Sequence, residues 1–264
     1  MSEANNGLLP GSFCWFELHT SDGPAATEFY KSLFGWEALG IPIGPDDVYT
    51  MLKQNDGNVS ALYQMHGEEL SKGIPPHWLT YILVDSADQS SAKAQELGAK
   101  ILMEPFDVMG AGRMSVVQDP QGAIFAVWQA GEHKGASVTG VPNSFCWGEL
   151  STSDTTAALG FYSSLFGWTT KPTDIGENPY TELFNNGVPI GGMMQLTEQM
   201  GDVPPHWLIY FAVANCDATV EKATALGSSI KVPPQDIPTV GRFAVVQDPQ
   251  GAVFAVIAIG ATQA

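Results

Sequence analysis

Residues 116–127 read VVQDPQGAIFAV, and residues 245–256 read VVQDPQGAVFAV. Two more pairs match in the same order: FYKSLFGW at 29–36 with FYSSLFGW at 161–168, and PPHWLTY at 75–81 with PPHWLIY at 204–210. Matched residues lie 132 positions apart early in the repeat (161−29) and 129 apart later (245−116). The chain is therefore a tandem duplication of a unit of ordinary domain size, and the shift is too long for a solenoid of short repeats.

The repeats define two domains and a linker. We place the first domain at residues 11–130, the linker at 131–142 and the second domain at 143–260, because the intervening stretch GEHKGASVTG has the composition of a linker. A chain of 264 residues that is 44% hydrophobic contains enough apolar material for two ordinary cores.

Hydrophobic periodicity predicts the same element order twice in each domain. Ser12–Thr20 alternates as a strand does, and Asp22 is placed to cap a helix that ends at Gly35. Short β-rich segments follow, and the pattern restarts with a strand at 77–84 and a helix at 86–97. The prediction is an α+β protein built from four β-α-β-β-β modules.

Local motifs add a resemblance to a known family. The helix-end motif at 29–36, Val84-Asp85 at the end of the fifth strand and Asp119-Pro120-Gln121-Gly122 before the last strand resemble the vicinal oxygen chelate superfamily of glyoxalases, bleomycin resistance proteins and extradiol dioxygenases. The resemblance covers nearly the whole chain, and tandem bacterial glyoxalase-like proteins, some described as hydroxylases or antibiotic-resistance proteins, look most similar. It implies that the two modules of each domain form one open, curved mixed sheet with a concave ligand-binding face.

The resemblance also implies a divalent metal held by His, Glu or Gln side chains. Here the first-strand and last-strand positions fall at Trp15 and Ala126, and at Trp147 and Ala255 in the second copy, where no side chain can bind a metal. The fifth-strand positions fall at Trp78 or Leu79 and at Trp207 or Leu208, and the fourth-strand positions near 60–62 and 191–192. A slip of one residue would make His77 and His206 the alternative ligands. We expect a protein without metal and, since no Gly-rich phosphate loop is visible, without another cofactor.

Strand alternation places a carboxylate beside a tryptophan. Trp15 and Glu17 share one strand face, and Trp147 and Glu149 repeat this order. A carboxylate in an apolar cleft needs a partner, and the candidates are Trp78, His77 and Arg113, with Trp207, His206 and Arg242 in the second copy. The predicted ligand-binding residues are Trp15, Glu17, Trp78, Tyr81, Arg113, Trp147, Glu149, Trp207, Tyr210 and Arg242.

Each of these residues also has a structural interpretation. Glu17 could be a buried post that joins strands one and five by hydrogen bonds, and Arg113 a salt-bridged surface group. Tyr81 and Tyr210 could be core residues. His19, His66 and His133 have no counterpart in the other repeat and are predicted to lie on the surface.

Charge and composition limit the partners. A net charge of −17 repels nucleic acid and anionic membranes and favours cationic ligands, although it also suits a solubilising surface. The sequence contains no apolar run long enough to span a membrane and no signal peptide, so we expect a cytoplasmic protein. Cys14, Cys146 and Cys216 are expected to be reduced packing residues. The two copies should pair within the chain, which could be a monomer or a homodimer.

Three functions remain open at this point. The first is a metal-free binder, of the sequestering or resistance type, for a small aromatic molecule that could be cationic. The second is an enzyme of the superfamily, a lyase, isomerase, hydroxylase or dioxygenase, with non-standard metal ligands or none. The third is a scaffold for protein interactions. The sequence alone leaves open whether any reaction is catalysed.

Overall fold

A computed structural model describes residues 7–45, 47–175 and 178–260. The first repeat consists of β1 (Phe13–Thr20), α1 (Gly23–Phe34), β2 (Glu37–Pro42), β3 (Val48–Gln54), β4 (Gly57–Gln64), α2 (Gly67–Ser71), β5 (His77–Leu83), α3 (Ala87–Glu96), β6 (Lys100–Val108), β7 (Gly112–Gln118) and β8 (Ile124–Ala130). The second repeat consists of β9 (Phe145–Thr152), α4 (Thr155–Phe166), β10 (Thr169–Ile175), β11 (Asn178–Asn185), β12 (Val188–Gln195), a 3-10 turn (Glu198–Met200), β13 (His206–Ala212), α5 (Cys216–Ala225), β14 (Ser229–Ile237), β15 (Gly241–Gln247) and β16 (Val253–Ile259).

The long helices begin and end where the sequence predicts. The Asp22 side chain accepts a hydrogen bond from the Ala25 backbone N–H at the start of α1, and Gly35 ends the helix with a φ of 74°. Asp154 and Gly167 do the same for α4. This left-handed conformation favours glycine because a Cβ would be strained there. No helix among the described residues is long and apolar enough to cross a bilayer.

Each repeat forms one open eight-stranded mixed sheet. The strand order is β2-β3-β4-β1-β5-β8-β7-β6 in the first repeat and β10-β11-β12-β9-β13-β16-β15-β14 in the second. β1 runs parallel to β4, with Glu17 opposite Ala61, and β5 runs parallel to β8, with Tyr81 opposite Ala126. The predicted α+β class, with two βαβββ modules in each repeat, is therefore confirmed.

The chain divides into two compact units that do not coincide with the repeats. The first unit contains Thr80–Gly135, Trp147–Leu208 and the described residues of Met1–Trp15. The second unit contains Phe16–Leu79, Ala136–Cys146 and the described residues of Ile209–Ala264. Each unit thus combines one module of the first repeat with one module of the second.

Within each unit, a hydrogen bond joins the helix motif of one repeat to the Asp-Pro-Gln-Gly turn of the other repeat. In the second unit the Tyr30 hydroxyl, from the helix motif of the first repeat, donates to Asp248 Oδ2 of the second repeat over 2.9 Å. Asp248 Oδ1 accepts three backbone N–H groups of its own turn. In the first unit Tyr162 donates to Asp119 over 2.9 Å. The Asp-Pro-Gln-Gly motif therefore stabilises a turn and also anchors a helix of the other repeat.

Candidate functional site

Glu17 lies on β1 with 9% of its surface exposed. The Tyr49 hydroxyl of β3 donates to its Oε2 over 2.5 Å, and His19 Nε2 donates to its Oε1 over 2.9 Å. A nearly buried carboxylate requires such partners. Trp78, His77 and Arg113 were the partners predicted from the sequence, and Tyr49 was not among them. A signal was available, because Tyr49 matches Tyr180 at an offset of 131 (180−49).

His19 is the centre of a polar cluster in the first repeat. Its Nδ1 lies 3.7 Å from Glu69 Oε1 on α2, an ionic contact longer than a hydrogen bond, and its ring stacks on His77 at 4.8 Å. Burial alone would lower the pKa of His19, but Glu17 and Glu69 outweigh this and raise it to about 9. The side chain is 15% exposed, so the prediction of a surface residue was wrong.

His77 and His206 are held in the same way at the start of the fifth strand of each repeat. Nδ1 of His77 lies 2.9 Å from the Pro75 carbonyl oxygen, and Nδ1 of His206 lies 2.8 Å from that of Pro204. Because a carbonyl only accepts, Nδ1 carries the proton and Nε2 keeps a lone pair. Burial and the charge of His19 lower the pKa of His77 to about 4, and burial lowers that of His206.

Trp78 and Trp207 do not face the carboxylates. The Trp78 indole N–H donates to the Tyr30 hydroxyl of α1 over 3.1 Å, and Trp207 donates to Tyr162 of α4 over 3.0 Å. Adjacent residues on a strand point to opposite faces. Since His77 stacks on His19, Trp78 lies on the helix-covered face of the sheet. The prediction that Trp78 and Glu17 line one site was therefore wrong, because His77, one residue earlier on β5, is the residue that lies on the same face as Glu17.

The two matched arginines form ion pairs on the surface. Arg113 donates two hydrogen bonds to the Asp88 carboxylate, at 2.7 and 2.9 Å, and a third to Asp107 at 3.0 Å. Arg242 repeats this with Asp217 and Asp236. Each guanidinium is thus held by two carboxylates of its own module, which agrees with the structural interpretation.

Tyr81 and Tyr210 are core residues, 3% and 4% exposed. The Tyr81 hydroxyl lies 3.8 Å from Met114 Sδ, and the Tyr210 ring packs against Phe243. Neither tyrosine is surface-accessible enough to meet a ligand without movement of its neighbours.

The second repeat holds its carboxylate through an equivalent tyrosine. Glu149, 9% exposed, is hydrogen-bonded to Tyr180 of β11, and the Trp147 indole N–H donates to the Tyr180 hydroxyl over 2.8 Å. Burial and the charge of Glu149 raise the pKa of Tyr180. Tryptophan, tyrosine and glutamate therefore form one connected group, as the shared strand face of Trp147 and Glu149 predicts.

The tryptophans of the two repeats differ in exposure. Trp15 is 2% exposed, and the His133 ring packs edge-on against it with 4.3 Å between ring centroids. His133, predicted to lie on the surface, is thus half-buried, whereas His66 is exposed as predicted and pairs with Asp47 at 3.0 Å. Trp147 is only half-buried. A ligand could reach the indole of the second repeat more easily than that of the first.

The residues at the expected metal positions do not fit a divalent cation. Trp15 and Ala126 are buried and supply no donor atom, and Ala255 is equally apolar. His77 and His206, the alternative ligands, belong to no group of three or more His, Cys, Asp or Glu side chains that could hold a metal among the described residues. That the protein carries no metal remains a prediction.

Comparisons with known proteins place this geometry in context. The family model of the Glyoxalase/Bleomycin resistance protein/Dioxygenase superfamily matches residues 13–127 and 143–256. "Putative glyoxylase CFP32" of Mycobacterium tuberculosis (strain CDC 1551 / Oshkosh) is 42% identical over 246 residues, which cover 92% of this chain and 93% of that protein. "Anthracycline biosynthesis protein DnrV" of Streptomyces peucetius is 38% identical over 263 residues, 95% of this chain and 94% of that protein.

Among solved structures, the Mn(II)-bound glyoxalase from Novosphingobium aromaticivorans has a similar fold. The TM-score is 0.64 at 16% sequence identity, and the match covers 94% of this chain and 82% of that one. At this identity the likeness concerns the fold alone.

Proposed function

The chain belongs to the Glyoxalase/Bleomycin resistance protein/Dioxygenase superfamily, and we propose that it binds a small aromatic molecule at its glutamate sites without a resident metal. One observation carries the proposal. In both repeats a glutamate that is 9% exposed, Glu17 or Glu149, is held in place by a tyrosine hydroxyl. Fixing a carboxylate in this position costs desolvation energy, and the fixed group can then recognise a ligand.

The chemical surroundings favour a flat ligand. Trp147 and Tyr180 present aromatic rings beside Glu149, and rings of this kind stack on planar molecules. The net charge of −17 attracts cations to the protein surface. The relative from Streptomyces peucetius is named as an anthracycline biosynthesis protein, and anthracyclines are flat fused-ring compounds. The aromatic rings, the net charge and the name of this relative are all consistent with binding of a flat, cationic aromatic molecule.

The test compares the two glutamates. A thermal-shift screen of planar aromatic compounds should reveal a ligand by the rise in Tm. Glu149→Gln keeps the shape and removes the charge, so a cationic ligand should bind more weakly by about 1.5 to 3 kcal/mol, the value of a charged hydrogen bond. Calorimetric titration measures the affinity, and thermal melting measures the stability.

Glu17→Gln is the same substitution at the glutamate site of the first repeat. Because Glu17 also neutralises His19, this substitution should lower Tm by several degrees, more than Glu149→Gln does. A loss of stability in both variants without any loss of ligand affinity would show that both glutamates only stabilise the fold. The binding proposal would then be abandoned.

A catalytic function is the second candidate, and one observation favours it. The His19 ring stacks on His77 at 4.8 Å and is hydrogen-bonded to Glu17, so groups that can transfer protons lie together. The Mycobacterium tuberculosis relative is named as a putative glyoxylase, and a glyoxylase would be an enzyme, which favours a catalytic function for this chain. A binder returns its ligand unchanged, whereas an enzyme converts it. Mass spectrometry of the ligand recovered after incubation with the protein distinguishes the two functions.

A further inference from the structure

The two repeats differ at the positions that flank their glutamates. In the second repeat Glu182 on β11 lies opposite Gly192 on β12, which lies opposite Glu149 on β9. In the first repeat the same row reads Met51, Ala61 and Glu17. Strand spacing puts the outer two residues of such a row about 10 Å apart at their backbones. Only the second repeat therefore carries two carboxylates on one row of the sheet.

Tyr180 lies between these two carboxylates. A methyl group on Gly192 would overlap the Tyr180 hydroxyl, so the glycine is what allows the hydroxyl end of the tyrosine to lie over the strand. The hydroxyl is fixed by Trp147 and Glu149, and the charge of Glu182 also acts on it. Trp147, Tyr180 and Glu182 are all half-buried. Their rings and the carboxylate can thus be reached from solvent.

The local charge also differs between the repeats. The residue that matches His19 is Ser151, so no imidazolium accompanies the second site. Glu182 Oε2 accepts a hydrogen bond from the neutral Thr173 hydroxyl over 3.1 Å. Lys171 lies across from Glu182 in the register, but the part of the chain that the structure describes contains no ion pair to Glu182. The row in the second repeat therefore carries two carboxylates and Lys171, whereas the row in the first repeat carries one carboxylate, which pairs with His19 beside Glu69.

We propose that Trp147, Tyr180, Glu149 and Glu182 form a site for a flat aromatic cation, and that Glu182 gives the second repeat its preference for positive charge. A cationic ring can stack on the indole or phenol face and be attracted by both carboxylates. The first repeat lacks this preference because Met51 replaces Glu182 and because His19 already pairs with Glu17. This inference rests on the proposed binding function and adds the repeat that binds the cation and the residue, Glu182, that selects it.

The experiment uses two planar probes of similar shape, the cation proflavine and the neutral acridone. Each is titrated into the full-length protein and into Glu182→Gln, and fluorescence reports the affinity. Glu221→Gln, which removes the same charge from an exposed position on α5, is the matched control. Melting curves confirm that all variants are folded.

We expect one proflavine per chain, bound at least about fivefold more weakly by Glu182→Gln and equally well by Glu221→Gln. Acridone affinity should change with neither variant. An equal loss of proflavine affinity in both variants, or none in Glu182→Gln, would overturn the inference while leaving the binding function in place. If neither probe binds the unaltered protein, the proposed function itself fails.

Discussion

His19 is nearly buried beside two carboxylates, and its contribution to the free energy of unfolding depends on pH. Its pKa in the folded protein is about 9, above the ordinary value of 6.5. A base with a raised pKa stabilises the folded state fully below its ordinary pKa, and the contribution is lost as pH rises through the folded value. The first repeat should therefore lose stability between pH 6.5 and pH 9 as the proton leaves.

His19→Ser tests this, because serine is the residue at the matching position, Ser151, of the second repeat. The free energy of unfolding of the unaltered protein should fall relative to that of the variant between pH 6.5 and pH 9, by up to about 3 kcal/mol. Urea denaturation at a series of pH values measures the difference. Parallel curves for the two proteins would mean that Glu17 and Glu69 do not hold a charged imidazole. The window lies above the range in which His77 titrates.

The sequence predicted that each glutamate shares a strand face with a tryptophan, but not which residues hold the carboxylate. Alternation along one strand is enough to place Glu17 beside Trp15 and Glu149 beside Trp147. The partner Tyr49 lies 32 residues away, on a strand that neighbours β1 only through β4. Periodicity does not specify strand order, so this contact could not be derived. Trp78 was misplaced because a shift of one residue moves a side chain to the other face.

Secondary structure elements with strong local signals were predicted well, and weak ones were missed. α1 and α4 carry an aspartate cap and a terminal glycine, and both signals are local. α2 has only five residues, and its N-cap is His66, which is not a usual capping residue, so this helix was not predicted. β6 runs from Lys100 to Val108 through two shifts of register against β7, and hydrophobic periodicity does not predict such irregular strands.

Two glycines in the second repeat should respond oppositely to the same substitution. Gly160 is an exposed residue within α4, and nothing lies within 4 Å of an added Cβ. Gly160→Ala should raise the free energy of unfolding by about 0.5 to 1 kcal/mol, because alanine loses less conformational entropy in a helix. Gly192→Ala should lower it by about 1 to 3 kcal/mol, because the methyl displaces Tyr180. Denaturant titration measures both, and a stable Gly192→Ala protein would contradict the packing of Tyr180 against β12.

The whole molecule depends on contacts between the repeats inside each compact unit. α1 of the first repeat packs Phe34 against Phe211 and Tyr30 against Phe254, both from the second repeat, within the second unit. In the first unit Phe125 packs against Tyr162 in the mirrored arrangement. The sequence indicated a duplication, but the repeated motifs looked like local turn and helix signals. That they contact each other across repeats follows only from the three-dimensional arrangement.

This arrangement predicts that neither repeat is stable alone. A fragment of residues 1–136 contains only Thr80–Gly135 and the N-terminal residues of the first unit, and Phe16–Leu79 of the second. Its α1 would expose Phe29, Tyr30, Leu33 and Phe34, which are buried in the full chain, and burial of one such side chain is worth about 1.5 to 3 kcal/mol. The fragment should therefore melt well below the full protein or form dimers, and should bind a dye for apolar surfaces. Adding a separately produced fragment of residues 137–264 should restore the melting temperature. A monomeric fragment 1–136 that is as stable as the whole chain and exposes no apolar surface would contradict the dependence of each unit on both repeats.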